Sequence, residues 1–308
     1  MIYTCTLNPA IDLFVDVDSL DPFVVNRTNT EDYQANGKAI NISILLKRMG
    51  LDNTALGFIG GFTGKYIENE LQQQGIETNF VEIDGITRIN TFVRAGEKEY
   101  KIVNKGPLIS EKKKDEMLQK IKSIPKGSVL FVSGSLPKGL SEETFIEIAE
   151  IASYNNLKLI LDVSSKKLLD CLAYHPYLIK PNKEELEYLF NKEKLSEDEI
   201  ILLGKELLQK GAERVLISLG EEGALYLSNQ ETIRVTSPKG EVINTACAGD
   251  ALLSSFVGKL KSGSSIEEAL VYASATGAST AFSMGLSDLS DIEHLVEEID
   301  VKHLSEKH

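Results

Sequence analysis

The chain has 308 residues, 42% hydrophobic and 26% charged, a composition ordinary for a globular protein and long enough to bury one large core. A formal net charge of −13 argues against a nucleic-acid surface, while local cations could still hold a small anion. No apolar run reaches membrane-spanning length, Met1–Leu7 lacks a basic region, and the scattered Cys5, Cys171 and Cys247 build neither a disulfide framework nor a metal site, so the expected location is cytoplasmic, without membrane contact.

A first strand is predicted over Ile2–Leu7, and the alternation in Leu13–Val17 predicts a half-exposed second one. A helix is predicted over Ile40–Met49, a buried strand over Ala55–Ile59, and a helix over Tyr66–Gln74 that stops at Gly75. Thr87–Ala95 and Tyr100–Val103, joined by Gly96-Glu97-Lys98, read as a hairpin. From Val129 onward strands and helices alternate: strand Val129–Val132, helix Glu142–Tyr154, strand Leu157–Asp162, helix Lys183–Phe190, helix Glu197–Lys210 and strand Arg214–Ser218. A hairpin near Ala224–Val235 and helices from Asp250 and Ile266 complete the series. Alternation of this kind predicts an α/β fold with a mainly parallel sheet between helices and ligand sites at the carboxyl ends of its strands. The hairpin segments within about 8–34 and 87–104 read as a small second sheet inserted into one domain spanning residues 1–308.

Asn244-Thr245-Ala246-Cys247-Ala248-Gly249-Asp250 carries the most chemical information. Small residues lead into a helix whose apolar positions 252, 253, 256, 257 and 260 share one face. Free N–H groups and the positive dipole end at such a start can receive an anion, and an aspartate there can accept a hydroxyl proton. That pairing suits phosphoryl transfer to an alcohol, although Asp250 could also merely complement the helix dipole.

Other segments admit both a structural and a chemical reading. In Tyr33-Gln34-Ala35-Asn36-Gly37-Lys38-Ala39-Ile40-Asn41, glycine permits close backbone approach, while lysine and asparagine offer donors and an acceptor to hydroxyl groups. Gly60-Gly61-Phe62-Thr63-Gly64-Lys65-Tyr66 lacks the spacing and the Ser/Thr of a phosphate-binding P-loop, and reads as a strand-to-helix turn. Ser133-Gly134-Ser135-Leu136-Pro137 follows a strand and faces the expected cleft. In Lys180-Pro181-Asn182-Lys183-Glu184-Glu185, Asn182 and Glu185 form a helix-capping pattern. Ser218-Leu219-Gly220-Glu221-Glu222-Gly223 reads as a turn between strands, and Glu111–Glu116 as a solvated helix face.

Taken together and in order, these segments resemble the pfkB, or ribokinase-like, carbohydrate kinases over residues 1 to about 290. The resemblance implies a ribokinase-like sheet sandwiched by helices, with the small sheet as a lid over a sugar and as a possible homodimer contact. It assigns Asp250 as catalytic base, with Cys247, Ala248 and Gly249 forming the anion hole. Asp12, Gly37, Lys38 and Asn41 would bind the sugar, together with Ser135, while Arg88 and Arg27, expected on lid strands, would grip its phosphate. Lys180, Asn182, Ser218, Gly220, Gly223 and Gly249 would serve ATP, and Asn182 and Glu185 would organise Mg²⁺ through water. Thr6–Asp12 and Val25-Asn26-Arg27 are most similar to the 1-phosphofructokinase branch, implying conversion of fructose 1-phosphate to fructose 1,6-bisphosphate, with tagatose-6-phosphate kinase as the alternative. Asn36, Ala39 and Cys247 stand where the family has glycines, which also raises the alternative of a sugar-phosphate-binding protein with impaired catalysis.

Overall fold

In the computed structural model, which describes residues 1–304, buried strands flanked by helices alternate along the chain; residues 305–308 of the expected domain span lie outside the described residues. The first half contains β1 (Ile2–Thr6), β2 (Ala10–Val17), β3 (Thr30–Asn36), α1 (Lys38–Arg48), β4 (Thr54–Ile59) and α2 (Gly61–Gln73). It continues with β5 (Glu77–Thr78), β6 (Val81–Glu82), β7 (Arg88–Ala95), β8 (Lys98–Ile102), α3 (Glu111–Lys122), β9 (Val129–Ser133) and α4 (Glu143–Tyr154). Then come β10 (Lys158–Asp162), α5 (Leu168–Cys171), β11 (Leu178–Ile179), α6 (Lys183–Phe190), α7 (Glu197–Gln209), β12 (Arg214–Ser218), β13 (Ala224–Ser228) and β14 (Thr232–Val235). The chain closes with α8 (Ala248–Lys261), α9 (Ile266–Ala281), α10 (Ile292–Leu295) and β15 (Val301–His303).

The large sheet runs β15-β14-β13-β12-β11-β10-β9-β1-β4-β5, with β6 also paired to β4. From β12 to β5 the pairings are parallel, and β12 to β15 form an antiparallel edge. The central strands are apolar on both faces because both faces are covered. Leu130 and Val132 of β9 pack with Met117 of α3, Phe145 of α4 and Leu203 of α7. Val129 and Phe131 pack on the opposite side with Ile42 of α1, Phe256 of α8 and Leu270 of α9. Parallel register therefore brings the carboxyl ends of β9, β10, β11 and β12 into one row, at Ser133, Asp162, Lys180 and Ser218.

A second sheet has the order β3-β2-β7-β8. Its β2 and β7 are parallel, with Ala10 beside Arg88 and Asp12 beside Asn90, and the outer strands pair antiparallel. Phe14 and Phe92 stack at 5.0 Å between ring centroids, which fixes the middle of this sheet.

Several boundaries differ from the sequence expectation, each for a tertiary reason. β3 has no hydrophobic alternation because it is largely exposed, and backbone pairing with β2 defines it. β2 starts at Ala10 because it pairs along that length with both β3 and β7. The β7–β8 turn shortens to Gly96-Glu97, since Lys98 already pairs with Ala95. α2 begins at Gly61 rather than Tyr66: the Gly60 N–H donates to Thr87 Oγ1 at 2.9 Å and the Thr63 hydroxyl to Thr87 O at 2.8 Å, pinning the first turn. β15 is a short edge strand held by β14.

Phe256 is fully buried between α8 and the sheet, with its ring 5.6 Å from that of Tyr226. We expect Phe256→Ala to cost about 3–5 kcal/mol, the usual range for emptying an aromatic core position. Thermal and urea unfolding would measure it; a loss below about 1 kcal/mol would show that α8 is seated by other contacts.

Candidate active site

One side of the site is built where β3 runs into α1. Gly37 has φ +136°, and a Cβ there would stand 2.7 Å from Thr6 Cγ2, so only glycine turns the chain at this point. Asn36 Oδ1 accepts from the Gly37 N–H at 2.5 Å and from Asn41 Nδ2 at 3.1 Å. Asn41 is buried, and its Nδ2 also lies 2.8 Å from Asp250 Oδ2 and 3.1 Å from Cys247 Sγ. Asn41 thus joins the α1 loop to the start of α8. Ala39 is fully buried, so its methyl group is accommodated.

Cys247 caps α8 in the left-handed conformation, φ +67°, which an L-residue adopts at a cost and a glycine does not. It is therefore the backbone that asks for glycine here. Burial pushes the Cys247 thiol up, with Asp250 and Asp12 adding to the effect, so the sulfur stays protonated. Beyond it, the N–H groups of Gly249 and Asp250 have no backbone acceptor among the described residues, and that of Ala248 reaches Thr245 O only at 3.4 Å. A Cβ on Gly249 would lie 3.4 Å from Lys180 Nζ. An ammonium group and free amides therefore converge on one small volume at the helix start, where an anion is favoured.

Four charged groups meet there. Asp162 Oδ1 lies 3.1 Å from Lys38 Nζ and 3.3 Å from Lys180 Nζ, with Asp162 fully buried and Lys180 4% exposed. Burial would raise the Asp162 carboxyl, but Lys180 and Lys38 outweigh it and hold it below the usual range. Burial likewise opposes the Lys38 charge, yet Asp162, Asp250 and Glu185 keep its ammonium above its ordinary value. Asp250 is shifted the other way: burial first, then the Asp162 charge, push it up to about 7, against the opposing pull of Lys38, Asn41 and Lys180. A carboxylate poised there suits general base chemistry near neutral pH.

On the other side, Asn182 caps α6 as its spacing predicts. Its Oδ1 accepts from the Glu185 N–H at 2.7 Å, and Glu185 Oε2 accepts from the Asn182 N–H at 3.0 Å. Glu185 Oε1 accepts from the Ser164 hydroxyl. Ser218 forms a parallel bridge with Asn182, so the β12 end adjoins this cap. Gly223, φ +96°, is required by its turn, because a Cβ would collide with Val235 O; Gly220, φ +59°, opens to free space. Among the described residues no cluster of three His, Cys, Asp or Glu side chains could cage a metal ion.

At the lid root, Asn90 Nδ2 donates to Asp12 Oδ1 at 2.8 Å, and burial raises the Asp12 carboxyl against the pull of Asn90 and Arg88. Arg88 NH1 and NH2 donate to Asn104 O at 2.8 Å and Asn8 O at 2.9 Å, leaving the buried Nε without a partner. A cavity of about 820 Å³ opens beside Arg88 and is also lined by Lys105, Lys113 and Lys138. Ser135 meets this region through Asn8, whose Nδ2 lies 3.3 Å from its hydroxyl. Arg27 departs from expectation. It lies in the exposed connection between β2 and β3, not on a lid strand, and has no hydrogen-bond or ion-pair partner among the described residues. Sequence reading missed Asp162, Asn90, Asn8 and Ser164. Asp162 carried a usable signal, a lone acid ending the apolar strand Leu159–Leu161 in a parallel sheet.

The family model described as pfkB family carbohydrate kinase matches residues 5–293. The chain is 60% identical over 305 residues to a D-tagatose-1-phosphate kinase of Bacillus licheniformis, covering 99% of this chain and 100% of that protein. It is 36% identical over 304 residues to a 1-phosphofructokinase of Bacillus subtilis, covering 99% and 100%. The crystal structure of Escherichia coli phosphofructokinase-2 in complex with fructose-6-phosphate superposes with a TM-score of 0.88 at 28% identity, covering 96% of this chain and 98% of that one.

The left-handed Cys247 yields a test of the local geometry. Cys247→Gly should keep stability within about 1 kcal/mol of wild type, because relief of strain offsets the added unfolded-state entropy. Cys247→Val should lose more than about 1 kcal/mol, since a β-branched residue tolerates this backbone least. Equal melting temperatures for the two variants would contradict a left-handed cap.

Proposed function

The chain belongs to the pfkB family of carbohydrate kinases, and from that membership and its site we infer that it phosphorylates the C6 hydroxyl of a ketohexose 1-phosphate. The enzyme is an ATP-dependent phosphotransferase acting on a sugar phosphate. The observation that carries the mechanism is the placement of buried Asp250 at an α8 start lined by free amides and by Lys180. Asp250 takes the proton of the acceptor hydroxyl. The hydroxyl oxygen bonds to the γ-phosphorus of ATP as the bond from that phosphorus to the bridging oxygen breaks, and ADP leaves with the bonding pair. The amides of Ala248 and Gly249, with Lys180, stabilise the oxygens of the transferring group.

Asp12 and Asn41 orient the sugar hydroxyls in this reading, with Gly37 and Lys38; their hydrogen bonds to Asn90 and Asp250 support it. Arg88 and the electropositive cavity next to it suit the acceptor's phosphate, with Ser135 at the same root. Arg27, on the exposed connection between β2 and β3, is a second candidate cation for that phosphate. Ser218, Gly220, Gly223 and Lys180 border the ATP side. The donor set fits Mg²⁺ only as an ion that keeps its waters: Glu185, already accepting from Ser164 and Asn182, has lone pairs left for water, and Asn182 stands beside it. When bound with ATP, Mg²⁺ would neutralise phosphate charge. The exposed lid side chains Tyr33, Tyr100 and Ile102 suit pairing of two copies into a homodimer.

Tagatose 1-phosphate stands ahead of fructose 1-phosphate because the relative named for it is the more similar. Both carry the phosphate at C1 and present a free C6 hydroxyl, so the choice turns on recognition at C4. The glycine replacements Asn36, Ala39 and Cys247 do not favour an impaired enzyme: Asn36 is hydrogen-bonded, Ala39 is packed, and Cys247 keeps the left-handed cap at a local conformational cost.

A coupled ADP-release assay should give the highest kcat/KM with tagatose 1-phosphate, then fructose 1-phosphate, ahead of tagatose 6-phosphate, fructose 6-phosphate and free fructose. A preference for a 6-phosphate would overturn the assignment. Asp250→Asn should lower kcat by about 10²–10⁴ and leave ATP binding nearly unchanged; kcat within about threefold of wild type would remove Asp250 as base. Because a base must be deprotonated, kcat/KM should fall as pH drops through about 7. Arg88→Ala should raise KM for the sugar phosphate by about 1.5–3 kcal/mol, leaving that for ATP unaltered.

A further inference from the structure

We propose that Asp162 is a positioning residue: its single carboxylate holds Lys38 and Lys180 together beside the start of α8, and so sets the charge that faces the transferring phosphoryl group and the surroundings of Asp250. The role rests on the phosphotransfer reading above, and the geometry supplies the reason for it. Lys38 belongs to α1, which carries the acceptor loop, whereas Lys180 follows β11 and leads into the Asn182 cap on the donor side. Two ammonium groups brought this close repel each other, and Asp162 is the acid between them.

Its bonding is unlike that of a carboxylate serving stability alone. Oδ1 receives both lysines, at 3.1 and 3.3 Å, while Oδ2 is buried without any hydrogen-bond partner. An unsatisfied buried oxygen is a cost, and buried ion pairs are weak stabilisers compared with apolar packing. The backbone around it is fixed: the Gly134 N–H donates to Asp162 O at 3.1 Å and the Lys180 N–H to Leu161 O at 3.0 Å. Strand register therefore sets Asp162 beside Lys180, and the Lys38 side chain reaches the same oxygen from the first turn of α1.

The charged and titratable groups facing Asp250 are Asp162 from β10, Lys38 from α1, Lys180 after β11 and the thiol of Cys247 from the turn into α8. Of these, Asp162 is the one that opposes ionisation of Asp250 while recruiting both cations that favour it. Neutralising Asp162 removes a like charge from Asp250 and leaves the lysines uncompensated. Both changes favour the Asp250 carboxylate, so its protonation moves to lower pH.

The test compares wild type with Asp162→Asn in two measurements. In the pH profile of kcat/KM, the acidic limb should move down by about one pH unit or more, and kcat should fall by about tenfold or more as the lysines lose their common anchor. A lower kcat with an unmoved limb would reduce Asp162 to a structural residue and overturn the proposal. The second measurement needs no turnover. Lys38, whose side chain is 35% exposed, should be acylated by acetic anhydride at pH 9 about tenfold faster in the variant, read by mass spectrometry. A rate within about twofold of wild type would equally overturn the proposal. If Asp162→Asn does not fold, Asp162→Asn/Lys180→Met removes the stranded buried ammonium with its partner, and the same acceleration at Lys38 is expected. Absence of wild-type turnover on every sugar phosphate would instead defeat the ketohexose reading, and the acylation arm would still decide on Asp162.

Discussion

Burial of charge at the carboxyl ends of the parallel strands is the constraint on which the rest of this molecule depends. Asp162, Lys180 and Asp250 are all nearly inaccessible, and only their mutual placement makes that burial tolerable. Parallel register aligns the ends of β9, β10 and β11, so the acid and the buried lysine arrive side by side. α8, seated on the sheet by Leu253 and Phe256, then delivers Asp250 and the amides of its first turn to the same place. Removing the packing of α8 would disperse the charges; removing the charges would leave an anion site with no anchored cation.

The lid solves a different problem. Its root, where Asp12, Asn90 and Arg88 meet the loop after β1, is tied by hydrogen bonds to backbone carbonyls as well as side chains. Its outer strands are polar and exposed. Asp12, Asn90 and Arg88 are thus held firmly at the base of a sheet whose far side is left open to another surface. Lys38 and Asn41 connect the β3 end of that sheet to the charge cluster through α1, and Asn41 touches both Asp250 and Cys247.

Much of this was legible from sequence because it depends on local rules. Apolar runs gave the central strands, and the Asn182–Glu185 spacing gave a capping box that the structure contains. The small residues before Asp250 announced a helix start able to hold an anion. What stayed hidden depends on long-range pairing. β3 is a polar strand only because β2 lies beside it, and the first turn of α2 exists because Thr87 accepts there from Gly60 and Thr63. Asp162 looked like the end of a strand, since its partners Lys38 and Lys180 come from distant parts of the chain. Cys247 read as a departure from a glycine motif, whereas its positive φ is the left-handed backbone geometry that a glycine adopts without cost.

The most direct measurement is the ionisation of Asp250 itself, followed by carbon-13 NMR of aspartate carboxyls and assigned as the resonance lost in Asp250→Asn. Burial, with the Asp162 charge beside it, predicts a midpoint near 7 in the wild-type protein. A midpoint near the ordinary aspartate value of about 3.9 would contradict the account, because Asp250 would then be neither buried nor opposed by Asp162 as described.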